Sequence, residues 1–207
     1  MLQLARAGQI DLPPIRVRIV NPLVHRKKPS WVEIDQTPLE GKLSDLGPIE
    51  LCQVRRTDAE ALFNSLIQQY HYLGYCQSVG EQLKYIVFAK KRPIACLAWS
   101  SAPRHIGDRD RFIGWTKTFR EKNLSLIACN TRVLILPWVR VSCLASYILG
   151  KMVKVLPKDW ERLYHHPLYY LETFVDQERF HGTCYRAANW LLCAIAHKSH
   201  YVTAAVM

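Results

Sequence analysis

The run Leu168-Tyr169-Tyr170-Leu171-Glu172-Thr173-Phe174-Val175 reads as a buried strand with one carboxylate in its middle. Side chains alternate faces along a strand, so Tyr170, Glu172 and Phe174 share one face. Burying a carboxylate is costly unless it is paired or opens into a cleft. Two readings follow: an internal ion pair of Glu172 with Arg132 or Arg186, or a carboxylate doing acid–base work. Asp176 falls on the same face and could join Glu172 as a catalytic pair.

A second constellation follows at once, in Arg179-Phe180-His181-Gly182-Thr183-Cys184-Tyr185-Arg186-Ala187-Ala188-Asn189-Trp190. Gly182 and Thr183 can supply a turn and a helix start, whose free amides suit an anion. On a helix, Tyr185 would share a face with Asn189, and Arg186 with Trp190. Tyr185 is thus a candidate catalytic hydroxyl, while Arg179, Arg186 and Asn189 are candidate nucleic-acid contacts. Ordinary capping and core aromatics would explain the same residues. Asn130-Thr131-Arg132 is a polar triplet in an apolar strand, the mark of a bulge or a ligand-facing spot, and Arg132 joins the candidate contacts. His71, between Tyr70 and Tyr72, titrates near neutrality and is a candidate acid or base. Arg104, Arg109, Arg111 and Trp115 form a basic-aromatic patch of the kind that holds strands by their phosphates.

Composition sets the frame for these groups. Lys and Arg number 28 against 17 Asp and Glu, a formal charge of +11 over 207 residues, which favours a phosphate-bearing partner. Nucleic acid, most simply DNA, is the expected partner. The seven cysteines form no C-x-x-C pair, so no metal site is expected, and their apolar settings fit a reducing cytoplasm. No uninterrupted apolar window is long enough for a membrane helix, and the first residues lack a secretory pattern. Phosphate-loop, dinucleotide, nucleophile-elbow and H-E-x-x-H motifs are all absent.

The elements that must position these residues begin near Ile49. Residues 1–48 read as a proline-rich arm carrying the basic cluster His25-Arg26-Lys27-Lys28. Thr57 with Glu60 predicts a capping box before a helix that stops near Gly74. LKYIVFA and IACLAW, around Lys90-Lys91, predict a hairpin; Arg104–Asn123 predicts one or two short helices. A strand over Leu124–Trp138, a helix opened by Ser142 and stopped by Pro157, a short helix over Asp159–Tyr164, the Glu172 strand, and a last helix over Tyr185–His197 complete the order. The fold class is α/β: a mixed central sheet of about four to six strands with flanking helices, behind the arm. The core domain spans 49–192, and 193–207 reads as a tail.

Five segments carry a family resemblance: Tyr70–Gly74 (YHYLG), Arg111–Trp115, Asn130–Val139 (NTRVLILPWV), Leu144–Gly150 (LASYILG) and Glu172–Trp190 (ETFVDQERFHGTCYRAANW). Over about Ile49 to Trp190 they resemble the domain shared by Druantia A proteins of anti-phage systems, found also beside transposases. That resemblance implies a phage-defence or mobile-element context near DNA, with other defence or transposition proteins as further candidate partners, and brings no established reaction. The element order also resembles Gcn5-related acetyltransferases, in which the resemblance implies a glycine-rich loop for the pyrophosphate of coenzyme A. The corresponding stretch, Val139–Ser146, holds no glycine, so the cofactor stays unassigned. Family members end in a glycine- and arginine-rich tail, whereas here the tail is apolar and reads as divergent or truncated. The leading expectation is a DNA-associated protein that modifies DNA or a DNA-bound protein at an acyltransferase-like site. A non-catalytic DNA-binding module is the alternative, and a metal-dependent nuclease using Glu172 and Asp176 ranks last.

Overall fold

The computed structural model describes residues 7–9, 11, 28–196 and 200–206, the last strands (194–196 and 200–206) by their backbone. Pro13, Pro14, Pro22 and the basic residues at 25–27 lie outside the described residues. The fold is a mixed α/β arrangement whose main strands are β2 (Ile49–Gln53), β3 (Gln82–Ala89), β4 (Arg92–Ser101), β5 (Ile127–Ile135), β7 (Tyr170–Asp176), β8 (Leu191–Ala196) and β9 (His200–Val206). They form one sheet in the order β2-β3-β4-β5-β7-β9-β8. Two short strands, β1 (Leu39–Gly41) and β6 (Val139–Val141), make a separate parallel pair. Among the described residues, no helix is long and apolar enough to cross a membrane.

The expected hairpin forms between β3 and β4, antiparallel, and Lys90 and Lys91 both take positive φ at its turn (50° and 62°). That pair of left-handed residues matches the twist of the two strands, at some steric cost for non-glycine residues. β5 and β7 run parallel, as a strand–helix–strand unit requires. The connecting helix, α4 (Leu144–Tyr164), departs from expectation at both ends. Cys143, in the left-handed region, precedes it rather than a capping Ser142. Pro157 sits inside it instead of ending it, because Met152, Leu156 and Trp160 all bury on the same stripe. That burial outweighs the loss of one backbone hydrogen bond, a penalty of about 3 kcal/mol.

The first helix, α1 (Glu60–Tyr70), starts later and ends sooner than the capping box implies. The Thr57 hydroxyl donates instead to Val54 O (2.8 Å), and the Glu60 carboxylate accepts from Arg56 N (2.6 Å) and Lys84 Nζ (2.7 Å). The charged segment does form two short helices, α2 (Gly107–Ile113) and α3 (Lys117–Asn123). The largest difference is at the end of the chain. The expected helix over Tyr185–His197 is only α5 (Thr183–Ala187), and the apolar residues after it form a β8–β9 hairpin. β9 pairs antiparallel along the whole of β7, which enlarges the sheet beyond the expected six strands.

The core lies on both sides of the central strands, with Tyr85, Trp99, Leu97, Phe63 and Trp160 fully buried. The arm is tied across this body. Val32 N donates to Ser65 Oγ (2.8 Å) and Arg92 Nη2 to Thr37 O (2.7 Å) before β1 reaches β6.

Candidate functional site

One extra residue in β5 opens the site. Ala98 of β4 pairs with Arg132 and Trp99 with Asn130, so Thr131 is a bulge between them. Asn130 Nδ2 and Thr131 Oγ1 both donate to Ala98 O (3.0 and 3.3 Å), which fixes the bulge in place. A bulge bends its strand and increases the local twist. Pairing of β5 with β7 runs from Ile127–Tyr170 to Asn130–Thr173 and stops there. Beyond that point the two parallel strands diverge, and a cleft of about 460 Å³ lies between them. Residues 130–135 and 173–176 form its strand walls, with 70–73 and 180–185 as its rim and Ala145 at the start of α4. Crevices beyond the carboxyl ends of parallel strands are where open α/β sheets bind ligands.

Polar groups floor the cleft. Tyr185 Oη donates to Asn130 Oδ1 (2.8 Å), and Thr173 Oγ1 reaches Asn130 O (3.0 Å) and Tyr185 Oη (3.4 Å). Burial holds the Tyr185 hydroxyl well above its ordinary pKa, so it keeps its proton and acts as a donor. His71 lines the cleft; burial, with the Arg132 charge second, lowers its pKa to about 4. At neutral pH it is therefore an uncharged imidazole. Asp176 also borders the cleft, where its carboxylate accepts from Glu178 N (3.1 Å) and lies 3.6 Å from Arg179 Nε. Arg132 is half-buried, donating to Gly74 O (3.2 Å) and Thr131 O (2.7 Å).

Glu172 stands apart from this group. Its register partner on β5 is Cys129, and it is absent from the cleft wall that Asp176 shares. The expected pairing of the two carboxylates is not formed. Nor is Glu172 partnered by Arg132 or Arg186: Arg109 Nη1 reaches its Oε1 at 3.3 Å, both side chains being wholly buried. Arg109 is thus an interior residue, not the surface phosphate contact expected from its patch. Its Nε and Nη2 donate to Asp110 Oδ1 (3.0 and 2.9 Å) and its Nη1 to Pro103 O (2.9 Å), while Arg120 holds the other Asp110 oxygen (2.9 Å). Burial raises the Glu172 pKa to about 7 against the opposing pull of Arg109. Its Oε2 has no hydrogen-bond partner among the described residues.

The remaining candidates divide by location. Arg104 and Arg111 are exposed near α2, and Arg111 pairs with Asp108. Trp115 is half-buried against Ala102, Ile127 and Tyr170, away from the cleft wall. Arg179 and Arg186 are exposed, Arg179 over the Tyr72 ring at the cleft's rim and Arg186 within α5. Asn189 does not share a helix face with Tyr185. It lies past α5 at φ 62°, where asparagine tolerates the left-handed conformation. Trp190 is buried against Tyr185 and Trp99. Tyr72 and Phe180, which meet at the rim of the cleft, were not among the expected site residues; for Phe180, a single aromatic among Gln177, Glu178, Arg179 and His181 was the available signal.

The loop from β5 to α4 does not offer the phosphate cradle implied for coenzyme A. It holds no glycine from Leu136 to Cys143, and its residues Val139–Val141 are laddered to β1 instead of standing open. Among the described residues no group of His, Cys, Asp and Glu is placed to hold a metal ion.

Residues 16–204 match the family described as Druantia protein DruA. A search of curated protein sequences found no match. Among solved structures, aminoglycoside acetyltransferase AAC(6')-Ib in complex with paromomycin and acetyl coenzyme A aligns at a TM-score of 0.50 and 12% identity, over 76% of this chain and 93% of that one. The acetyltransferase of GNAT family from Streptococcus pneumoniae aligns at 0.48 and 12%, over 77% and 99%. The Campylobacter jejuni N-acetyltransferase PseH aligns at 0.46 and 9%, over 76% and 97%. At such identities the likeness is one of fold: an acetyltransferase-like sheet with flanking helices.

Proposed function

Because the chain belongs to the Druantia protein DruA family, we propose that it serves phage defence by associating with DNA and working on the bound strand at the cleft between β5 and β7. The observation that carries this reading is the bulge at Thr131. It opens a polar-floored crevice at the carboxyl ends of two parallel strands, with Arg132 in its wall and Arg179 against its lining residues Tyr72 and Asp176. The formal charge of +11 supplies the long-range attraction for phosphate. Within the cleft, Tyr185 keeps its proton and His71 is an uncharged imidazole, so at neutral pH both meet a bound group as neutral hydrogen-bonding partners.

Binding of single- and double-stranded DNA by the full chain, followed by fluorescence anisotropy across a salt series, tests this. Affinity should fall steeply with salt, and replacing Arg132, Arg179 and Arg186 by alanine should reduce the log–log slope by about one for each phosphate left without its arginine. Absent or salt-insensitive binding sinks the reading. Acyl transfer is a second reading, favoured by the fold shared with AAC(6')-Ib, whose structure holds acetyl coenzyme A. Since the β5–α4 loop lacks the expected cradle, no step is assigned to that cofactor. Calorimetric titration with acetyl coenzyme A decides it: heat lost on Tyr185→Phe favours acyl transfer, and no heat removes it.

A further inference from the structure

Two exposed rings from distant segments meet at the mouth of the cleft. Tyr72, in the loop after α1, is 44% exposed, and Phe180, in the loop after β7, is 49% exposed. Their centroids lie 5.5 Å apart at an interplanar angle of 56°. His71 stacks behind Tyr72 at 4.8 Å and 27°, and Arg179 Cζ stands 5.1 Å from the Tyr72 ring centre. Exposed apolar surface beside a cavity marks a place of contact, because burying it elsewhere would be favourable. Here that surface is two ring faces tilted by 56°, with Arg179, steadied by Asp176, standing over the Tyr72 ring. Flat faces beside a positive charge are the surface that stacks a nucleobase while holding its phosphate. Behind them, Asn130, Thr173 and Tyr185 offer the hydrogen-bonding edge that an unstacked base needs.

We propose that the Tyr72–Phe180–Arg179 mouth takes an unpaired nucleobase of a single strand and delivers its edge to the Asn130–Tyr185 floor of the cleft. The proposal rests on the DNA association above and assigns the substrate class of the same site. The approach of a base is set by Gly182, whose positive φ (62°) turns the chain between Phe180 and α5 so that ring and floor face one crevice. A duplex keeps its bases stacked, so extracting one from it carries a penalty that a single strand or a mismatch avoids. Single strands should therefore bind more tightly than duplexes of the same length.

The test uses the full chain and a short single-stranded oligonucleotide with a central aminopurine, whose emission reports on stacking. Binding should change that emission, and Tyr72→Ala or Phe180→Ala should remove the change and weaken binding by roughly tenfold. Both side chains are about half exposed, so the variants should fold, and unchanged unfolding curves establish that they do. An abasic position at the centre should weaken the wild type by a similar factor and leave the double variant unaffected. If abasic and base-bearing strands bind alike and the emission stays constant while salt-dependent binding persists, base capture is wrong and DNA association stands. If no oligonucleotide binds at all, both fall.

Discussion

Thr173 and Glu172 are neighbours on β7, yet the structure uses the two faces they mark in opposite ways. On one side, Thr173 joins Asn130 and Tyr185 in a floor of neutral hydrogen bonds beneath an open cleft. On the other, Glu172 is sealed with Arg109, Asp110 and Arg120 in a chain of ion pairs. The open face has its charges at the rim, where water screens them and a ligand can reach them. The closed face has its charges in the interior, where each depends on its partner. Strong ionisable groups are therefore a poor guide to the site in this molecule, and a modest amide beside a bulge is a better one.

The contrast is easiest to break with arginine. Arg109→Met should destabilise the protein by about 3–5 kcal/mol, since it leaves Glu172 and half of Asp110 uncompensated. Arg179→Ala, at the rim, should change stability by no more than about 0.5 kcal/mol. Urea unfolding of the two variants measures both, and similar losses would erase the distinction between the faces.

Glu172 sharpens it further. Its pKa in the native state is about 7 against an ordinary 4.5. The native protein therefore holds a proton that the unfolded chain releases, and stability falls as pH rises through that window. Glu172→Gln removes the window. Between pH 5 and pH 8 the wild type should lose up to about 3 kcal/mol more than the variant, as urea midpoints at the two pH values will show. Parallel pH dependences would mean that Glu172 is ionised throughout.

The smallest expected effect is at His71 on the open face. Its ring should titrate near 4 instead of 6.5, followed through the imidazole proton resonances. Since the native pKa is lowered, the associated stability is lost only as pH falls below the ordinary value towards 4. A midpoint near 6.5 would place the ring in bulk water and off the cleft wall.

Much of the fold was readable because alternation and turns are local. The β3–β4 hairpin, the parallel β5–β7 pair and the two helices between Arg104 and Asn123 all followed from patterning. The triplet Asn130-Thr131-Arg132 pointed to a bulge or a ligand-facing spot, and the register shift against β4 makes it a bulge. What the bulge opens was hidden, because divergence depends on which strand lies alongside and where their pairing stops. The β8–β9 hairpin was missed for a related reason. Leu191–Ala196 is a continuous apolar run that suits either period, and only its pairing with β9, itself laid along the edge of β7, decides in favour of a strand. Arg104, Arg109 and Arg111 look alike in sequence. α2 turns Arg109 inward because Glu172 and Asp110 wait there, a circumstance no spacing rule encodes.

The pairing of Leu39–Gly41 with Val139–Val141 joins parts of the chain that are a hundred positions apart. Closing so long a loop for a ladder of three residues gives a small return on a large entropic outlay. This clasp lies over the turn that leads from the bulged strand into the long helix. It should therefore fasten after those elements and release before them, which faster amide exchange at Leu39–Gly41 than in β4 will show.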